Sequence, residues 1–260
     1  MLNYPFFKRI VTLAVFPNPF LCPSSCHLKR LVTLYYHTRS VVLPSSQSKI
    51  LLIKMLIFAQ NHSDPKGDQN KSVMKQQIDA AIKVLKEGGV ILYPTDTIWG
   101  LGCDATNPEA VEKIFKIKQR SDSKSLITLV ADLDMVGRYV KEIPEIAIQL
   151  VEVNDKPMTI IYPGAMGLAK NVIAEDGTAG IRIPDNEFCN KLIGKFRKAI
   201  VSTSANISGN PAPATFEEIP QEIKDAVDYI VAPEFEGNST HSASQIIKVG
   251  LGCEIEIIRG

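Results

Sequence analysis

From Met74 onward, short apolar runs alternate with segments whose apolar residues recur every third or fourth position, and that alternation restricts the chain to an α/β fold. Ile78, Ile82 and Leu85 mark one face of a helix that Gly88-Gly89 can end by supplying a left-handed residue. A strand over 90–93 runs into Pro94. Asn107-Pro108-Glu109 offers an N-cap side chain, a proline for the first turn and an early acid, so a helix starts there, buries Val111, Ile114 and Phe115, and fades near Lys118. Buried strands are expected over 126–130, 158–162, 178–183 and 199–202. A short helix from Asp132 through Tyr139, one over 144–153, and one capped by Asp185 with Phe188, Leu192 and Phe196 inward fit between them. Strands near 229–231, 244–249 and 254–258 complete one α/β domain with a mixed sheet and no internal repeat.

Residues 1–73 follow a different grammar. Before Asp64 there is no Asp or Glu, while Lys8, Arg9, Lys29, Arg30, Arg39, Lys49 and Lys54 are basic. The apolar bursts over 10–16 and 50–58 are too short to span a bilayer, and no membrane association is expected. The segment reads as a basic extension, disordered or non-native with the true start at Met55 or Met74, in preference to a transit or signal peptide; the polar run 61–72 is then linker or untranslated sequence. The overall charge of +1 hides this contrast. From Met74 onward there are 20 Lys+Arg against 26 Asp+Glu, a balance of −6, which argues against a generic nucleic-acid coat. The five cysteines, Cys22, Cys26, Cys103, Cys189 and Cys253, are odd in number and scattered, which favours a reducing cytosol over a disulfide framework. Cys22, Cys26 and His27 lack a second ligand pair at zinc spacing, so no metal is assigned.

Three segments carry chemistry. In Tyr93-Pro94-Thr95-Asp96-Thr97-Ile98-Trp99-Gly100-Leu101-Gly102, an extended chain places Thr95 and Thr97 on one face and Asp96 on the other. Hydroxyls beside exposed backbone suit a small polar ligand; the same residues also fit a turn whose threonines bond the local backbone. Lys118-Gln119-Arg120, with Lys124 nearby, suits a polyphosphate if extended, and equally suits a solvated helix C-terminus favoured by the helix dipole. Ser202, Ser204 and Asn206 recur at the strand period directly after Ile200-Val201, forming a polar row that needs water or a ligand, or else is a solvated strand end. Between Ile181 and Ile183, Arg182 points to the opposite face, as a rim ion pair or a clamp for a carboxylate.

Taken in this order, PTDTIWGLG, KQR, GIRIP and STSANISG resemble the YrdC-like threonylcarbamoyl-AMP synthase family, whose hallmark is a KxR motif paired with a distant SxN motif. The resemblance runs from Met74 to Gly260 and is to the minimal single-domain members. It implies an α/β domain with a twisted mixed sheet around a basic concave cleft. It puts Lys118 and Arg120 on the KxR motif and Ser204 and Asn206 on the SxN motif, as the catalytic set. Lys124 and Thr178 join these four on the ATP side, while Thr95, Arg182, Ser202 and Ser244 are implied for L-threonine. This chain departs from the family pattern at Ser121, where proline is usual, at Trp99, where tyrosine or phenylalanine is usual, and at Gln245, where threonine is usual.

The implied reaction joins L-threonine, bicarbonate and ATP into threonylcarbamoyl-AMP for the t6A modification of tRNA. Such chemistry needs positioning and charge neutralisation more than a covalent nucleophile. Mg²⁺ would travel with ATP, with no tightly bound cofactor. A downstream tRNA threonylcarbamoyltransferase machinery would take the product, with at most a weak tRNA contact, in the cytoplasm. Lys118 and Arg120 are expected at a solvated cleft, where replacing them leaves stability almost unchanged. An RNA-binding module using the basic surface is the alternative, and a carbamoyl-transferring enzyme of hydrogenase maturation shares a similar domain.

Overall fold

The computed structural model describes residues 65–119, 126–252 and 254–260. The expectations for residues 1–64, Arg120 and Lys124 therefore lie outside the described residues. Helix α1 (Pro65–Lys86) begins upstream of Met74, so residues 65–72 are helical where the sequence suggested linker. Residues 69–73 are exposed, so the first turns lack the apolar stripe that marks a helix in sequence; Ile78, Ala81, Ile82 and Leu85 supply it later. Gly88, at φ 72°, ends the helix as expected.

Strand β1 (Ile91–Tyr93) pairs antiparallel with β2 (Gly100–Gly102), and the pair Tyr93–Gly100 closes the turn that carries Thr95, Asp96 and Thr97. The sequence reading did not anticipate β2, because Gly-Leu-Gly is poor strand composition. Its glycines answer to close approach instead. A Cβ on Gly102 would lie 2.6 Å from Tyr93 Cε1 and 3.0 Å from the Val201 carbonyl oxygen.

Helix α2 (Pro108–Ile117) starts as its cap predicted, with the Asn107 side chain accepting from the amides of Glu109 at 3.0 Å and Ala110 at 3.2 Å. Strand β3 (Ile127–Leu129) leads to α3 (Leu133–Val136), which Asp132 caps and which stops short of Tyr139. Then come α4 (Glu145–Val153), β4 (Met158–Tyr162) and β5 (Ala179–Arg182). Helix α5 (Glu187–Phe196) is capped by Asn186, not Asp185: the Asn186 carboxamide accepts from the Cys189 amide at 3.0 Å, while Asp185 lies one residue too early. After β6 (Ile200–Ser204) come α6 (Gln221–Ala226), which the sequence reading missed, β7 (Tyr229–Ile230), β8 (Gln245–Val249) and β9 (Ile255–Arg259).

These strands form one mixed sheet in the order β7-β1-β2-β6-β3-β5-β4-β8-β9. Strand β6 is the hinge of the topology: it pairs antiparallel with β2 on one side, matching Gly100 to Ser204, and with β3 on the other, matching Ile127 to Ser202. Parallel pairing of β3 with β5 sets Leu129 opposite Arg182, and parallel pairing of β4 with β8 brings Ser244 beside Thr159. Residues far apart in sequence thus reach one region of the sheet. The core beneath it is held by large buried side chains, among them Tyr93, Trp99, Tyr162 and Phe188.

Candidate active site

The Tyr93–Gly100 turn organises itself first. The Thr95 hydroxyl lies 2.8 Å from that of Thr97, donates to the Ile98 carbonyl at 2.8 Å and accepts from the Thr97 amide at 3.1 Å. Thr95 is 1% exposed, so its hydroxyl is engaged inside the turn, and Thr97 reaches the adjoining cavity. Asp96 faces away from both threonines and meets Arg182, Oδ1 to Nη1 at 2.6 Å, in a fully buried ion pair. The sequence suggested a rim ion pair or a clamp for Arg182; burial removes the rim.

The KxR and SxN motifs meet. Lys118 Nζ donates to the carbonyl oxygens of Ser204 at 2.6 Å and Asn206 at 2.8 Å, and to Asn206 Oδ1 at 3.1 Å. Ser204 Oγ donates to the same Asn206 oxygen, Asn206 Nδ2 donates to the Asn210 carbonyl, and the Ser208 amide donates to the Lys118 carbonyl at 3.0 Å. Lys118 is 3% exposed, which corrects the expectation of a solvated lysine. A helix-terminal lysine is normally exposed, but here the C-terminus of α2 runs directly under the end of β6, whose carbonyls replace water.

A cavity of about 310 Å³ lies over this region, lined by Thr97, Trp99, Leu126, Ile127, Arg182, Ser202, Ser204, Ser244, Ile246 and Arg259 among others. Four sequence-implied residues, Arg182, Ser202, Ser204 and Ser244, share it. Lys118 and Asn206 stand behind Ser204 rather than in the lining. Thr178 also lies outside it, its hydroxyl donating to Asp176 at 2.6 Å. The Lys248 ammonium and the Thr178 hydroxyl hold the Asp176 carboxyl down to about 2.

Arg259 was missed by sequence reasoning. Its Nε and Nη2 donate to the Ser244 carbonyl at 2.9 and 2.7 Å, and burial together with the nearby Arg182 charge lowers its pKa. The signal was the alternation Ile255, Ile257, Arg259, which puts the guanidinium on the end of a strand; only the β8–β9 register, with Ile246 opposite Arg259, aims that end at Ser244. Ser244 is itself fixed, its hydroxyl 2.8 Å from that of Thr159.

Two guanidinium groups therefore border a cavity whose described lining contains no carboxylate, and the Arg182 Nε is buried without a hydrogen-bond partner. Apolar walls from Trp99, Leu126, Ile127 and Ile246 complete it. The arrangement suits a small anionic ligand with an apolar part, held by charge and oriented by hydroxyls. A larger cavity, about 470 Å³, lies on the other face of β4 and β5, floored by Met158, Ile160, Tyr162, Ile181 and Ile183. Of the chemistry-bearing segments it receives only Asp96, so the smaller cavity is the candidate site. Among the described residues no group of three or more His, Cys, Asp or Glu could hold a metal ion.

Fold and cavity together define a mixed α/β domain with an arginine-bordered, hydroxyl-lined pocket on its sheet. The family model named Sua5/YciO/YrdC, described as "Telomere recombination", matches residues 83–260, and the chain belongs to that family. A threonylcarbamoyl-AMP synthase of Vibrio campbellii is 32% identical over 184 residues, covering 67% of this chain and all of the relative. The P. abyssi Sua5 structure complexed with L-threonine is similar at a TM-score of 0.61 and 29% identity, covering 66% of this chain and 50% of that one, so this chain matches about half of that Sua5. The E. coli YciO structure, at a TM-score of 0.59 and 24% identity over 71% of this chain and 88% of that one, shares the fold.

Proposed function

We propose that this chain is a threonylcarbamoyl-AMP synthase, making the activated intermediate for the t6A modification of tRNA from L-threonine, bicarbonate and ATP. The observation that carries the reading is the convergence of Arg182, Ser202, Ser204 and Ser244 on one cavity, with the lysine of the KxR motif fastened to the SxN motif behind it. The curated relatives and the L-threonine complex of P. abyssi Sua5 support it.

In this reading the Arg182 guanidinium receives the threonine carboxylate, with Thr95, Ser202 and Ser244 on the amino-acid side. The threonine amine adds to carbon dioxide drawn from bicarbonate, losing a proton and leaving a carbamate. A carbamate oxygen then attacks the α-phosphorus of ATP, and the bond to the β-phosphate bridging oxygen breaks to release pyrophosphate. Lys118, Arg120, Lys124, Thr178, Ser204 and Asn206 form the nucleotide side, where fixed positive charge and hydroxyls stabilise negative charge developing on the phosphates. Lys118 does so from behind, holding the end of β6 in place. Mg²⁺ arrives on the nucleotide as part of the substrate. The product passes to the tRNA threonylcarbamoyltransferase machinery in the cytoplasm, with only weak contact to tRNA itself.

The test is pyrophosphate release by the purified chain. It should appear only when L-threonine and bicarbonate accompany ATP, because the nucleophile is their adduct. Pyrophosphate released from ATP without threonine would sink the reading.

A further inference from the structure

We propose that Asp96 is a positioning residue of this site: it acts only through Arg182, fixing which edge of the guanidinium faces the bound amino acid. The proposal rests on the synthase reading. Asp96 Oδ1 takes Arg182 Nη1 at 2.6 Å with both side chains buried, while Arg182 Nε stays without a partner. Arg182 lines the 310 Å³ cavity and Asp96 does not; Asp96 instead borders the cavity on the far face of β5. The carboxylate therefore has no access to substrate except by way of the guanidinium it holds.

Asp96 is itself fastened. Its Oδ2 accepts from the Asp185 amide at 3.2 Å and its carbonyl accepts from the Thr240 amide at 3.0 Å, while Ser239 Oγ donates to the neighbouring Thr97 carbonyl. The Asp185 amide thus holds the carboxylate, the 239–240 segment holds the backbone that carries it, and through the carboxylate one planar cation is fixed. A guanidinium with one corner committed can present only its remaining N–H groups, a directional fork that a freely rotating side chain would not offer. The charge matters as well. Arg182 lies near enough to Arg259 to lower the pKa of Arg259, and the Asp96 carboxylate is the buried counter-charge bonded directly to Arg182.

The experiment is a double-mutant cycle on the full chain, reading pyrophosphate release at varied threonine and varied ATP for wild type, Asp96→Asn, Arg182→Lys and the double variant. Asp96→Asn is expected to raise the threonine KM about tenfold, with the ATP KM and kcat moving less than about threefold. The double variant should be no worse for threonine than Arg182→Lys alone, within about twofold, because the second change acts on an interaction already lost. Asp96→Glu should recover part of the loss in Asp96→Asn by restoring the charge. Additive effects, or an ATP KM that rises as much as that for threonine, would overturn the proposal. If Asp96→Asn does not fold, the cycle runs with Asp96→Glu, for which the same non-additivity is required. Should wild type release no pyrophosphate, the synthase reading fails on its own account. The cycle is then read by threonine quenching of Trp99, the single tryptophan of the chain and part of the cavity wall, and no Arg182-dependent quenching would end the Asp96 proposal too.

Discussion

At the residue scale the site separates groups that meet the cavity from groups that hold them. Lys118 is of the second kind, and its prediction changes accordingly. Lys118→Ala deletes a buried ammonium that three oxygens of Ser204 and Asn206 accept from, so it should cost about 2–3 kcal/mol of stability as well as activity. Urea denaturation checks this: an unchanged midpoint would mean the carbonyls find water. Arg182→Lys should weaken threonine more than ATP, since an ammonium cannot reproduce a planar fork on a carboxylate. Equal changes in the two KM values would remove Arg182 from the threonine side. Both residues were legible as candidates, Arg182 because the strand period sets it opposite Ile181 and Ile183, and Lys118 because the resemblance places it on the KxR motif. That their partners are Asp96 and the end of β6 was not, since each pairing joins segments separated by 86 residues or more.

At the element scale, local chemistry set some helix ends and tertiary contact set the strand order. The Asn107 cap and the Gly88 stop were readable because a cap is decided within a few residues. Strand β2 was not, because its glycines serve neighbours on β1 and β6. Gly102→Ala should therefore destabilise by about 1–3 kcal/mol, as the new methyl cannot avoid both Tyr93 and the Val201 carbonyl. A thermal midpoint equal to wild type would show that Tyr93 can yield. The loop before β5 carries a second, acid-side prediction. Asp176 titrates lower in the folded chain, about 2 against 3.8, so its pairing with Lys248 and Thr178 is fully present above about pH 4 and is lost as pH falls through about 2. Both partners are half-exposed and screened, so the effect is small. Asp176→Asn should flatten the pH dependence of stability between pH 4 and 2 and loosen Thr178; an identical acid profile would mean the pair contributes nothing.

At the scale of the whole molecule, the described core residues and the cavity walls lie between Ile78 and Arg259, in the segment that begins with α1. We expect a chain starting at Pro65 to unfold cooperatively and keep threonine-dependent pyrophosphate release. Starting at Met74 should cost stability, because it removes the first turns of a continuous helix whose later turns pack on the sheet. Circular dichroism melts of the two truncations decide the point. Loss of cooperative melting in the Pro65 chain would tie the fold to the preceding residues.

The sequence by itself determined the α/β class, most helix and strand positions, and the residue types at the site. The class and the element positions depend on periodicity or on a cap, which neighbours along the chain settle, while the site residues rest on the resemblance of the ordered motifs to the family. The tertiary structure alone decided that β6 lies between β2 and β3, that Lys118 is buried under the SxN strand, that Arg182 is held by Asp96, and that Arg259 faces Ser244. Those outcomes rest on strand order and register. Pairing β6 on both its edges buries a lysine that would otherwise be solvated, and no pattern within one segment encodes which distant strand will lie beside it.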